Sequence, residues 1–204
     1  MRRSLIGLLT LVAIAGLVTT SCQRSATLRV TSINGGTTLQ SDLTDYYVYF
    51  DKVESTDVIL QQTNSDSVRV ELQYVEIGAG LPTWTPYEAL LNQATVSFKS
   101  KLATDQPPTY QNVIVPLTMA IPADASGKTK VSFWITPIPA AWKSFVFADY
   151  VSVEDPNQID ITDLAQATIS FSGYDSVANR EVKASGTFQV QFGNFFDDPT
   201  RFGK

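Results

Sequence analysis

Apolar and polar residues alternate with a period of two through much of the chain. Val68, Val70, Leu72 and Tyr74 alternate with Arg69, Glu71 and Gln73. Val113, Val115, Leu117, Met119 and Ile121 fall on one side of a long segment. Ile169 and Phe171 alternate with Thr168, Ser170 and Ser172, and Phe188, Val190 and Phe192 with Thr187, Gln189 and Gln191. Successive residues of a strand point to opposite faces, so the pattern predicts strands with one side on a core and the other in water. Shorter runs predict further strands over 28–33, 46–53, 95–102, 129–136 and 144–153, punctuated by turn-forming stretches such as Asn34-Gly35-Gly36 and Asp155-Pro156-Asn157. Pro116 cannot donate to a ladder, which places its strand at an edge or a bulge. The segment 167–192, reversing around 174–180, reads as a hairpin. Only one stretch reads as helix: Thr85 can cap, Pro86 suits the first helical position and Glu88 stands three after the cap, predicting a short helix near 86–91.

Eight to ten strands with so little helix define an all-β chain and exclude a doubly wound parallel sheet with its cofactor crevice. So many half-apolar strands must cover one another, which predicts an antiparallel two-sheet sandwich, immunoglobulin-like or related. With no internal repeat and no long linker, one sandwich domain over 27–193 is expected, followed by an acidic, aromatic tail over 194–204. Two tandem sandwiches divided near 105–108 are the alternative.

The N-terminus follows other rules. Arg2 and Arg3 precede a charge-free apolar run over 5–18, LIGLLTLVAIAGLV, too short to span a bilayer comfortably and patterned like a removed signal peptide. Thr19-Thr20-Ser21-Cys22 follows directly. Residues 1–22 thus resemble the lipobox segment of bacterial lipoproteins, although Thr19 stands where those proteins usually carry an aliphatic residue. The resemblance implies cleavage of residues 1–21 between Ser21 and Cys22, acylation of Cys22, and attachment to a membrane through palmitate-type chains. Gln23, in place of the aspartate that retains such proteins at the inner membrane, implies the outer membrane. A tether over 22–26 reaches only roughly 15 Å, so the domain would sit close to the lipid.

Composition narrows the chemistry. The 204 residues hold no His and a single Cys, the one at the processing position. Without His there is no Ser-His-Asp or Cys-His arrangement and no imidazole metal ligand. A serine nucleophile would need a lysine base, and no S-x-x-K motif stands in a helical context. A formal charge of −5 opposes sequence-independent nucleic-acid binding, which needs a basic surface. No catalytic residues, cofactor or nucleic-acid partner are therefore assigned, and the chain is expected not to be an enzyme.

What remains is surface chemistry. Trp84 and Tyr87 lie in a Pro-punctuated connection, and Trp142 follows Pro137-Ile138-Pro139. Trp134 points outward if Val131, Phe133 and Ile135 face the core. Exposed rings of this kind stack on sugars or anchor a protein partner, whereas rings folded back would plug the ends of the domain. Asp149, Glu154 and Asp155, with Asp160 and Asp163, are weak calcium candidates, since oxygen-rich loops hold Ca²⁺ but no EF-hand spacing is present. The expected function is a non-catalytic exported lipoprotein that meets an envelope protein partner in a structural or adhesive role. The alternative is a carbohydrate- or peptidoglycan-binding module using the exposed Trp and Tyr rings.

Overall fold

Each long alternating segment is a strand. The computed structural model describes residues 25–51, 53, 56–77, 88–101, 108–124, 126–148, 162–177 and 179–195. Along these the order is β1 (Ser25–Ile33), β2 (Leu39–Asp42), β3 (Asp45–Asp51), β4 (Thr56–Gln62), β5 (Asp66–Ile77), β6 (Glu88–Ser100), β7 (Val113–Asp124), β8 (Val131–Ile138), α1 (Ala140–Val146), β9 (Asp163–Asp175) and β10 (Glu181–Gly193). Val68, Val70, Leu72 and Tyr74 on β5 are buried, as are Ile169 and Phe171 on β9 and Phe188, Val190 and Phe192 on β10. Burial of each such side chain stabilises the fold by roughly 1.5–3 kcal/mol.

The chain is all-β, but its sheet is one hydrogen-bonded path in place of two separate layers. Strand order is β1-β5-β7-β6-β9-β10-β2, with β8 also on β5 and β3-β4 a separate hairpin. The path curls into a half-barrel. The two halves meet at a corner where β5 and β7 pair in parallel over only Tyr74↔Ala123 and Val75↔Asp124. Beyond it β7 follows β6, while β8 turns back along β5. Phe133 of β8 meets Phe171 of β9 edge-on, with ring centroids 6.1 Å apart, so the apolar sides of the two halves face each other. The core between them draws on residues from Leu28 to Phe192. Parallel pairing recurs between β10 and β2, so the sheet is not uniformly antiparallel as expected.

Two local expectations are corrected. Glu88–Leu91 is strand and not helix: the segment pairs with β7 on one side and β9 on the other. Ala89 and Leu91 are buried, while Glu88 and Leu90 are only half-buried. Ladder bonds on both edges and period-two burial outweigh a local capping signal. The remainder of the expected helix, Pro86 and Tyr87, lies outside the described residues. The strand expected over 144–153 begins instead as α1, whose Pro139 stands at the N-cap and whose first residues, Ala140 and Ala141, favour helix. Residues 149–153 lie outside the described residues.

Two local features accompany a slip in β6. Pro116 on β7 pairs with Gln93 just past a register slip at Leu91/Gln93, in keeping with an edge or bulge position. The same slip interrupts the β6–β9 ladder and brings β6 backbone onto Gly173. A Cβ there would stand 2.1 Å from the Leu90 carbonyl oxygen and 2.8 Å from Leu91 Cα. Since backbone cannot yield as a side chain does, Gly173→Ala should cost about 2 kcal/mol, against near neutrality for Ser172→Ala. Urea unfolding of both variants checks this, and a Gly173→Ala protein as stable as the parent would refute the close approach.

Candidate functional site

The described carboxylates are mostly committed to structure. Asp163, one of the acids considered for calcium, is fully buried and accepts hydrogen bonds from Ser100 Oγ at 2.8 Å and from the Tyr110 hydroxyl. Asp175 accepts from the Tyr74 hydroxyl at 2.5 Å and from the Val177 amide at 2.9 Å, tying β5 to the β9–β10 turn. Asp66 pairs with Lys143 Nζ at 3.1 Å and accepts from Ser41 Oγ at 2.6 Å, while Lys143 donates to the Asp42 carbonyl at 2.5 Å. Lys143 is only 1% exposed. Breaking such a buried pair costs about 3–5 kcal/mol, although forming it is not strongly stabilising. Here the pair locks α1 and β2 onto β5. Ser41 is fully buried, which leaves a substrate no approach to this Ser–Asp–Lys group.

Asp124 closes the corner loop. Its carboxylate accepts from Ser126 Oγ and N, both at 2.8 Å, and from the amides of Lys128 and Thr129 at 2.9 and 2.6 Å. The Ser126 hydroxyl first, and then the Thr129 amide, hold this carboxyl well below the usual carboxylate range. Among the described residues no group of three or more Cys, Asp or Glu stands together to hold a metal. Asp149, Glu154, Asp155 and Asp160 lie outside the described residues.

The tryptophans divide. Trp142, on α1, is half-buried in an aromatic cluster at one end of the core. It stacks on Tyr110 at 5.8 Å and 9°, lies 4.7 Å from Phe98 and 6.0 Å from Phe192, and donates its indole N–H to the Gln111 carbonyl at 2.9 Å. It is a plug, as the folded-back reading expects. Trp134 is 68% exposed, and alternation explains why: Ile135 is buried, Phe133 half-buried and Ser132 exposed. Trp84 and Tyr87 lie outside the described residues, as do Ser21 and Cys22.

Around Trp134 the structure assembles a surface. β8 pairs with β5 so that Trp134 stands opposite Arg69, and Ser132 opposite Glu71. Arg69 Nε donates to Ser132 Oγ at 2.5 Å, and Ser67 and Thr136 bond at 3.0 Å. Glu71 lies 3.8 Å from the Arg69 guanidinium and 3.6 Å from Lys130 Nζ. Exposed ion pairs of this length add little stability, and they leave the Arg69 and Trp134 side chains at the surface. Arg69 escaped the sequence reading. Its outward phase was visible, but its place beside Trp134 depends on a strand pairing that spans more than sixty residues.

No protein-family model and no curated protein matches the chain. Among the described residues no helix is long and apolar enough to cross a membrane.

Two measurements follow. Acrylamide should quench Trp134 strongly and Trp142 weakly, so in a Trp84→Phe background Trp134→Phe removes the accessible fraction of the emission and Trp142→Phe the shielded part. Equal quenching in the two variants would contradict the division. For Asp124, the depressed folded pKa means its contribution is complete above the unfolded value of 3.8 and is lost as pH falls further. The stability gap between the parent and Asp124→Asn should therefore be largest near neutrality and narrow between about pH 4 and pH 2. A gap independent of pH in acid denaturation would remove the carboxylate from this role.

Proposed function

We propose that this protein is a non-catalytic exported lipoprotein, a β-domain anchored by acyl chains on Cys22 and working through contact with an envelope protein. Its fold in this reading is a variant of the immunoglobulin-like or related sandwich, with the β1-β5-β8 and β7-β6-β9-β10-β2 halves as the facing layers. The N-terminal lipobox resemblance supports the anchor, and Gln23 supports the outer membrane as its destination.

One observation carries the binding role: Trp134 and Arg69 stand opposite each other on the outer face of neighbouring strands. Trp and Arg are enriched among the few residues that dominate binding energy, because each joins a large contact area to a directional polar group. Placing an indole in water forgoes roughly 1.5–3 kcal/mol of burial, a cost a binding surface offsets. A glycan reading has its own support in the same place, since Ser132 and Thr136 flank the ring and a sugar's apolar face stacks on an indole.

Two experiments test these claims separately. Intact mass of the membrane-extracted protein should equal residues 22–204 plus acyl chains, and Cys22→Ser should release the protein from the membrane fraction. An unacylated Cys22 would end the anchoring proposal. For the binding face, a photo-crosslinking residue at position 134 in living cells should give a discrete protein adduct, while one at Thr118, exposed on β7, gives none. No adduct at position 134, together with indole emission that shifts on adding peptidoglycan fragments, would replace the protein partner with a glycan.

A further inference from the structure

We propose that the cavity beneath the β1–β2 turn binds an acidic sugar, with Lys101 taking the carboxylate. The site is lined by the end of β6, β9 and β10 and not by the β5–β8 pair that carries Trp134, and it does not depend on lipidation or on the protein partner.

The cavity measures about 370 Å³, and its polar walls come from Thr37 and Thr38 on one side and from Lys101, Gln166, Thr187 and Gln189 on the other. That volume lies within the range of small-ligand clefts, roughly 300–1,000 Å³. The first wall is held in shape by its backbone. Asn34, Gly35 and Gly36 all have positive φ, at 50°, 62° and 80°, a sequence of conformations that glycine allows at little cost. Thr37 returns its amide and its hydroxyl to the Asn34 carbonyl at 3.1 and 2.7 Å, and Asn34 Nδ2 bonds Thr37 Oγ1 at 3.1 Å. Thr38 Oγ1 reaches Gln189 Oε1 at 3.4 Å, joining the two walls.

The chemistry of the lining is selective. Amides and hydroxyls both donate and accept, which matches the hydroxyls of a sugar, whereas an ammonium only donates and prefers an anion. The chain carries a net charge of −5, yet among the described residues no carboxylate lines this cavity. Lys101 and Lys99 are exposed and form no ion pair among the described residues. A bare phosphate could only accept from these amide and hydroxyl groups and would leave their oxygens unmatched, and two lysines on an acidic protein are too few for nucleic acid.

The same chemistry continues along the sheet. In register across β6, β9 and β10 run Lys99–Gln166–Gln189, then Ser97–Thr168–Thr187, then Thr95–Ser170–Ser185. A second hollow of about 560 Å³ lies beside Ser172 and Lys183. The first acid on this path is Glu181, which pairs with Lys183 at 2.8 Å. From Gln189 to Lys183 the strand rises roughly 20 Å, room for several sugar units laid along the face. The inferred ligand is therefore a short acidic oligosaccharide lying on the sheet, with its terminal carboxylate at Lys101.

The test titrates the full-length protein in detergent with trigalacturonate, its fully methyl-esterified counterpart and inorganic phosphate, by calorimetry. Trigalacturonate should bind, the neutral ester about tenfold more weakly, and raised salt should reduce the difference. Lys101→Gln should lose about tenfold in affinity for trigalacturonate and nothing for the ester. Lys130→Gln, on the Trp134 face, should bind as the parent does. Gln189→Ala and Thr187→Val should weaken both sugars, and they carry the test if Lys101→Gln does not fold. Absence of trigalacturonate binding, equal affinity for the ester, or indifference to all three cavity substitutions would overturn the proposal. Phosphate bound as tightly as trigalacturonate would reduce the site to an anion hole and overturn the sugar.

Discussion

The fold depends on one short piece of parallel pairing, where Tyr74 and Val75 of β5 take Ala123 and Asp124 of β7 as neighbours. A sheet with this many half-apolar strands cannot stay open, because its inner face would remain wet. Bending it requires a strand that belongs to both halves, and β7 is that strand: most of its length lies on β6, and its last residues cross to β5. The corner is then held by polar groups that hydrophobic packing alone could not orient. Asp124 collects the amides of the following loop. Gln73, the polar residue one step from Tyr74, gives its amide to the Gly127 carbonyl, and Tyr74 itself reaches across the core to Asp175.

Buried polar groups do similar work elsewhere. Lys143 is buried only because Asp66, itself held by the Ser41 hydroxyl, and the Asp42 carbonyl meet its charge. A Leu or Met there would pack at less cost in desolvation. What the ion pair adds is direction: it fixes which turn of α1 lies over β2 and β5. Asp163, between Ser100 and Tyr110, sets the aromatic cluster in the same manner. No buried side-chain polar atom among the described residues lacks a partner, and Asp163, one of the acids considered for calcium, is engaged in this way.

How much of this the chain announced depends on the range of the interaction. Strand phase is local, so β5, β7, β9 and β10 were legible residue by residue, and with them the outward direction of Trp134. The hairpin of β9 and β10 was legible because its turn is close in sequence. Parallel pairing was not, since β2 meets β10 across some 150 residues and nothing in four residues of strand names a distant partner. The helix signal at 85–88 misled for a related reason: caps are local, and the two ladders that overrule them are not. Trp142 could be read only as following Pro137-Ile138-Pro139, with an exposed and a folded-back ring both open, and nothing local marked its neighbour Lys143 as buried. Only the tertiary position of Asp66 makes a buried lysine reasonable.

The two exposed faces differ in chemistry, and the anchor proposal orders them in space. β1 begins at Ser25, opposite Ile77, only three residues beyond Cys22, a reach of roughly 10 Å. With acyl chains on Cys22, the end of the sheet that holds Ser25 and Ile77 is therefore the end nearest the lipid. β1 then runs nine residues to Ile33, a rise of roughly 27 Å, before the turn that walls the lysine cavity. That distance exceeds the Debye length of about 8 Å at physiological salt, so anionic head groups would neither fill nor screen the cavity. Trp134 and Arg69 lie level with that turn, on the flank of β5 and β8, since Val70 next to Arg69 pairs with Ile33. A protein bound there would meet β5 and β8 at the end far from the lipid, while an acidic glycan at Lys101 would lie along β6, β9 and β10. The two sites thus require no competition between their ligands, and a single anchored domain has room to hold both.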